Sequence, residues 1–202
     1  MRATIAETQL PPAPEIPHMP KAGKCGAPVL LACGNALRQD DGVGLAIAAA
    51  AERVFGDAQL RVVAVQQWTP ELAEEIAGAP LAIFVDASAA DEAGEIRMRQ
   101  LCSPTSAKIW QKWGTQEPTL SQRARQGWGT QDASISETHQ MGPAELLALA
   151  EVIGGHAPER AFLVTVGAGS FQYVEEVSGT VRQAVPRVVR LVGNLMTAFA
   201  AE

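Results

Sequence analysis

Cysteine is scarce in this chain. Its three cysteines, Cys25, Cys33 and Cys102, form neither a C-x-x-C pair nor an even-numbered framework. That excludes a disulfide-stapled scaffold and points to a reducing compartment. Aromatic residues make up only 5%, so any core must be built mainly from Ala, Val, Leu and Ile. No run approaches the ~18–20 apolar residues that a membrane span needs, and the first residues lack the apolar segment of a secretory signal. Basic residues are outnumbered, 16 Lys and Arg against 22 Asp and Glu, for a formal charge of −6. A nucleic-acid surface usually needs a basic stripe. Neither G-x-S-x-G nor H-E-x-x-H occurs, so a serine-hydrolase elbow and zincin chemistry have no support. The expectation is a cytoplasmic protein that binds neither nucleic acid nor membrane.

What is present is enough for one full-sized core: 202 residues, 47% hydrophobic and 19% charged. Apolar runs of strand length alternate with helical patterns. The runs are Val29–Cys33, Leu60–Val65, Leu81–Val85 and Ala161–Val166, and Glu95–Leu101 alternates polar and apolar residues like a strand near a sheet edge. Helices are predicted over Gly42–Phe55, from Pro70 to Gly78 behind a Thr69 cap, over Pro143–Val152, and in a final stretch capped by Ser178. In that last stretch Pro186 either kinks the helix or marks its start. The pattern predicts a single three-layer α/β domain over 28–202, with a mostly parallel sheet of about five strands and helices on both faces. Residues 1–27 are Pro-rich and predict a flexible tail. Periodicity fails over 103–138, a long insert holding Trp110, Trp113, Trp128 and the near-repeat KWGTQ/GWGTQ.

Carboxylates recur where strands end. After Val29–Cys33 the chain breaks at Gly34-Asn35, and Asp40 and Asp41 follow before Gly42 and Gly44. Asp86 follows Leu81–Val85 at once. The carboxyl edge of an open α/β sheet is where ligands bind, and paired acidic groups repel unless a cation visits them. Each aspartate has a plainer reading as a helix cap or turn residue. A phosphate-binding loop fits poorly, because the glycines miss G-x-G-x-x-G and two carboxylates repel an anion. His139 precedes the Pro143 helix. A lone loop histidine is commonly a surface residue, but two carboxylates elsewhere call for a third partner. His18, in the tail, and His156, in a Gly-Gly-His-Ala-Pro loop, read as solvated.

Asp41, Asp86 and His139, in that order, carry a resemblance. The pattern G-N-x-L-x-x-D-D-G-x-G (Gly34–Gly44) resembles the opening motif of the [NiFe]-hydrogenase maturation endopeptidases. FVDA (Phe84–Ala87) is similar to that family's second motif, and THQMG (Thr138–Gly142) to its histidine motif. The resemblance spans roughly Val29 to Ala200. It implies an endopeptidase, of the class grouped with aspartic-type activity, that removes the C-terminal extension of a hydrogenase large-subunit precursor after nickel insertion. It implies that Asp41, Asp86 and His139 contact nickel, which arrives with the substrate rather than residing in the enzyme. Imidazole with carboxylate suits such a borderline ion, and three protein ligands leave positions open. Asp41 and Asp86 are also the candidates for catalysis. The cation either polarises the scissile carbonyl or activates water, or serves as a docking mark only. The free protein is expected to be a monomer. Two other classes stay open: a metallohydrolase or aminopeptidase with a resident metal, and a non-catalytic nickel-binding assembly factor.

Overall fold

The computed structural model describes residues 26–101 and 141–201. His139, His18, Cys25, Cys102, the three tryptophans of the 103–138 insert, and all but the end of the Pro-rich tail lie outside the described residues.

Among the described residues five strands form one sheet: β1 (Val29–Cys33), β2 (Arg61–Val65), β3 (Leu81–Ser88), β4 (Ile96–Leu101) and β5 (Arg160–Gly167). Their order across the sheet is β2-β1-β3-β5-β4. All neighbours are parallel except β4, which runs antiparallel to β5. The central β1, VLLAC, is buried throughout, as a strand covered on both faces must be. The alternating segment is the edge strand β4, largely exposed.

The side-chain period of two splits β1 between two cores. Leu30 and Ala32 join Ile83 and Val85 under α1 (Val43–Phe55) and the last long helix. Leu31 and Cys33 join Phe84, under α2 (Leu72–Ile76) and α3 (Pro143–Gly154). The molecule therefore has three layers, with helices on both faces of the sheet, as the pattern predicted. The final helical stretch is two pieces, α4 (Gly179–Arg182) and α5 (Val185–Ala200). Pro186 lies in the first turn of α5 and so marks a start rather than a kink.

Three details differ from expectation. The helix predicted from Pro70 to Gly78 behind a Thr69 cap is shorter, Leu72–Ile76, with Glu71 at its N-cap. β3 does not stop at Val85 but continues through Asp86 to Ser88, because β5 pairs with it residue by residue as far as Ser88↔Gly167. Backbone pairing with a neighbour, not the end of the apolar run, sets a strand's length. Ser178 stands at the N-cap of α4, yet its hydroxyl makes no cap bond. Its backbone N–H is instead taken by Asp40.

Candidate active site

The chain leaves β1 towards β2 on one side and leaves β3 towards β5 and β4 on the other. The gap between the carboxyl ends of β1 and β3 is thus the switch point, the crevice where open α/β sheets bind ligands. The β1–β3 ladder ends at Ala32↔Val85, so the next residue of β3, Asp86, is paired with Thr165 of β5 on one side and has no β1 partner on the other, where the crevice opens. The segment after β1 delivers Asp41 to the same place through a 3-10 turn, Gln39–Gly42.

That turn is tight because of two glycines. A Cβ on Gly34 would lie 2.1 Å from the carbonyl oxygen of Asp41, and one on Gly44 would lie 2.0 Å from that of Cys33. Only glycine permits either approach, which gives the G-N-x-L-x-x-D-D-G-x-G spacing a steric cause. Within the turn Gln39 adopts a left-handed backbone, φ 49°, rare for a residue with a Cβ and most often seen where surrounding structure fixes it.

Asp40 and Asp41 separate at this turn. Asp40 is completely buried and accepts three backbone N–H groups: Gly169 (2.9 Å) and Ser170 (3.1 Å) on Oδ2, and Ser178 (2.8 Å) on Oδ1. Its work is to hold the loop after β5. Asp41 is partly exposed and contributes its charge to the crevice, where it pushes up the pKa of both Asp86 and Cys33.

Asp86 is partly buried. Burial drives its carboxyl from an ordinary 3.8 up to about 6; hydrogen bonds from Trp68 and Ala87 oppose that rise, and the Asp41 charge adds to it. Oδ1 accepts the backbone N–H of Ala87 at 2.9 Å, and Oδ2 accepts the indole Nε1–H of Trp68 at 3.1 Å. Beside them lies Cys33, buried and unpaired. Burial, then the Asp86 and Asp41 charges, raise its thiol to about 12. It is a neutral thiol at any physiological pH and no nucleophile, and it packs in the core as a small hydrophobe.

The structure therefore brings Asp41 and Asp86 together. His139, the third residue of the expected set, lies outside the described residues. Met141, two positions on, packs against the same core as Trp68 and Phe84, and α3 follows on that face. Among the described residues no three His, Cys, Asp or Glu side chains form a metal-holding group. Sequence reasoning missed Trp68. The signal was a single tryptophan placed just beyond the β2 run, in a chain with few aromatics.

No protein-family model matches the chain, and no curated protein matches its sequence. Solved structures do match. The hydrogenase maturating endopeptidase HybD from E. coli is 18% identical, with 83% of this chain and 90% of that one covered and a TM-score of 0.57. The [NiFe] hydrogenase maturation protease HycI from Thermococcus kodakarensis KOD1 is 20% identical, with 84% and 92% covered and a TM-score of 0.58. The [NiFe] hydrogenase maturation protease HybD from Thermococcus kodakarensis is 22% identical, with 85% and 99% covered and a TM-score of 0.54. At such identities the likeness is one of architecture: this chain has the fold of the hydrogenase maturation proteases.

Proposed function

We propose that the protein is a hydrogenase maturation endopeptidase, cutting the C-terminal extension from a [NiFe]-hydrogenase large-subunit precursor that already carries nickel. The observation that carries this reading is the pairing of Asp41 and Asp86 at the switch-point crevice of a fold shared with proteases of that name. Two carboxylates in one crevice favour a cation over any anionic or neutral ligand. Oxygen donors alone suit hard ions, so His139 is assigned as the imidazole donor that shifts the preference towards nickel. The cation belongs to the substrate: Asp41, Asp86 and His139 recognise it on the precursor. Peptide hydrolysis requires water to lose a proton as it adds to the carbonyl and the leaving nitrogen to gain one as the C–N bond breaks. Asp41 and Asp86 are the candidates to take that proton and return it. The partner is the precursor subunit, and the setting is the cytoplasm. Among the described residues no helix is long and apolar enough to cross a membrane.

The test mixes the purified protein with apo and nickel-loaded precursor and follows the mass of each. The nickel-loaded form should lose its extension while the apo form stays whole, and Asp41→Asn, Asp86→Asn and His139→Ala should each abolish the cut. Equal cleavage of both forms, or none of the loaded one, overturns the reading. A stoichiometric metal surviving dialysis against chelator would favour a resident-metal hydrolase instead.

A further inference from the structure

We infer that Trp68 is a positioning residue for Asp86: its indole N–H and the backbone N–H of Ala87 hold the two carboxylate oxygens from different sides and fix the plane in which Asp86 faces the crevice. This rests on the proposed reading of Asp86 as a site residue.

An aspartate's terminal torsion is broad and only two-fold, so its carboxylate plane is soft unless partners fix it. Asp86 has one partner on each oxygen, Ala87 at 2.9 Å and Trp68 at 3.1 Å. The first comes from the next residue in β3 and turns with the strand. The second comes from 18 residues upstream, beyond the end of β2, and provides an external reference. Trp68 is itself immobilised. It is only 8% exposed, and its ring meets Phe84 edge-on, with centroids 5.7 Å apart and planes at 71°. Phe84 lies two residues before Asp86 on the same face of β3. The Trp68 backbone N–H also acts on the Cys33 thiol at the close of β1, lowering its pKa against the larger effect of burial. Trp68 thus bridges the two strands that frame the crevice. An ionised carboxylate has about four lone-pair sites, so both bonds leave lone pairs for a cation or a water proton. Carboxylates that contact metals are commonly oriented by such donors, and losing one costs roughly 10–100-fold in affinity or activity.

The competing role for Trp68 is plain core packing. Trp68→Phe separates the two, because phenylalanine keeps an aromatic ring against Phe84 and removes only the N–H and the second ring. Positioning predicts a kcat/KM for nickel-loaded precursor lowered roughly 10–100-fold, with the circular-dichroism spectrum unchanged. A kcat/KM within twofold of wild type overturns the inference. A second arm needs neither substrate nor that variant. In ¹⁵N-labelled full-length protein the Trp68 indole Hε1 resonance should move upfield in Asp86→Ala, as its carboxylate acceptor is lost, and stay in place in Asp40→Asn. A Trp68 resonance indifferent to Asp86→Ala overturns the inference. If wild-type protein cuts no precursor, the protease reading fails by itself, and the resonance arm still decides whether Trp68 holds Asp86.

Discussion

Oδ1 of Asp40 accepts the backbone N–H of Ser178 at 2.8 Å, joining points 138 residues apart in the chain. With Gly169 and Ser170 on the other oxygen, one buried carboxylate organises the whole connection between β5 and α4. Hydrogen bonds to a carboxylate are roughly twice as strong as those between neutral groups. Asp40→Asn must present an amide N–H₂ to at least one of these N–H donors, leaving it unsatisfied. We expect a loss of about 2–3 kcal/mol in stability, measured by urea denaturation. Asp41→Asn, at a partly exposed position, should stay within ~0.5 kcal/mol of wild type. Its loss should be in activity, and a reversal of the two effects would mean the wrong carboxylate has been assigned to the site.

A pH effect follows from Asp86, whose carboxyl burial raises from 3.8 to about 6. The folded protein keeps this proton where the unfolded chain has already released it. The raised pKa therefore adds stability that is fully present below about pH 4 and is lost as pH rises through about 6. Urea midpoints at stepped pH should show wild type declining across that window relative to Asp86→Asn. Removing the like charge in Asp41→Asn should lower the Asp86 midpoint, and removing the indole donor in Trp68→Phe should raise it. Carboxyl ¹³C shifts of Asp86 report both directly.

Much of this architecture is legible in the sequence because parallel strands buried on both faces leave nearly unbroken apolar runs, as VLLAC and LAIFV do. The motif around Asp41 is legible because its glycines answer to local contacts. What the sequence conceals is long-range. Nothing nearby tells that Asp40 is satisfied by Gly169, Ser170 and Ser178, so a cap and a ligand look alike from residue order. The true end of β3 is written in β5, far downstream. Trp68 reads as a loop residue until β3 is placed beside β1, when its ring meets Phe84 and its N–H meets Asp86.

Cys33 tests what kind of hydrolase this is. Burial and two neighbouring carboxylates hold its thiol at about 12, so the thiolate population at pH 8 is negligible. In the native protein Cys33 should resist iodoacetamide at pH 8, and it should label once urea exposes it; peptide mass mapping distinguishes it from Cys25 and Cys102. Cys33→Val, a near volume-conserving change in the core, should cost under about 1.5 kcal/mol and leave precursor cleavage intact. Abolished cleavage in a folded Cys33→Val protein would instead point to a cysteine nucleophile.

Gly34 and Gly44 offer a way to move Asp41 without touching its carboxylate. A Cβ at residue 34 would fall 2.1 Å from the Asp41 carbonyl oxygen, far inside contact distance, and both partners are backbone. Neither can swing aside as a side chain would, so Gly34→Ala must push the 3-10 turn away from β1. Overpacking of this kind costs about 1–3 kcal/mol. The same displacement would carry Asp41 out of register with Asp86, and misplacement by about 1 Å can cost on the order of 100-fold in rate. Gly44→Ala presses instead on the Cys33 carbonyl at 2.0 Å, beneath the start of α1. It should destabilise comparably, while its effect on Asp41 is transmitted only through the shift of that helix. Gly56→Ala serves as the control, since a Cβ there meets nothing within 4 Å and only its positive φ of 64° is strained. We therefore expect Gly56→Ala to lower stability with processing retained, and Gly34→Ala to lower both. Processing rates per folded molecule, taken at a temperature where each variant is fully folded, make the comparison. Should Gly34→Ala cleave as fast as Gly56→Ala, the close packing of Gly34 on Asp41 would be a matter of stability alone.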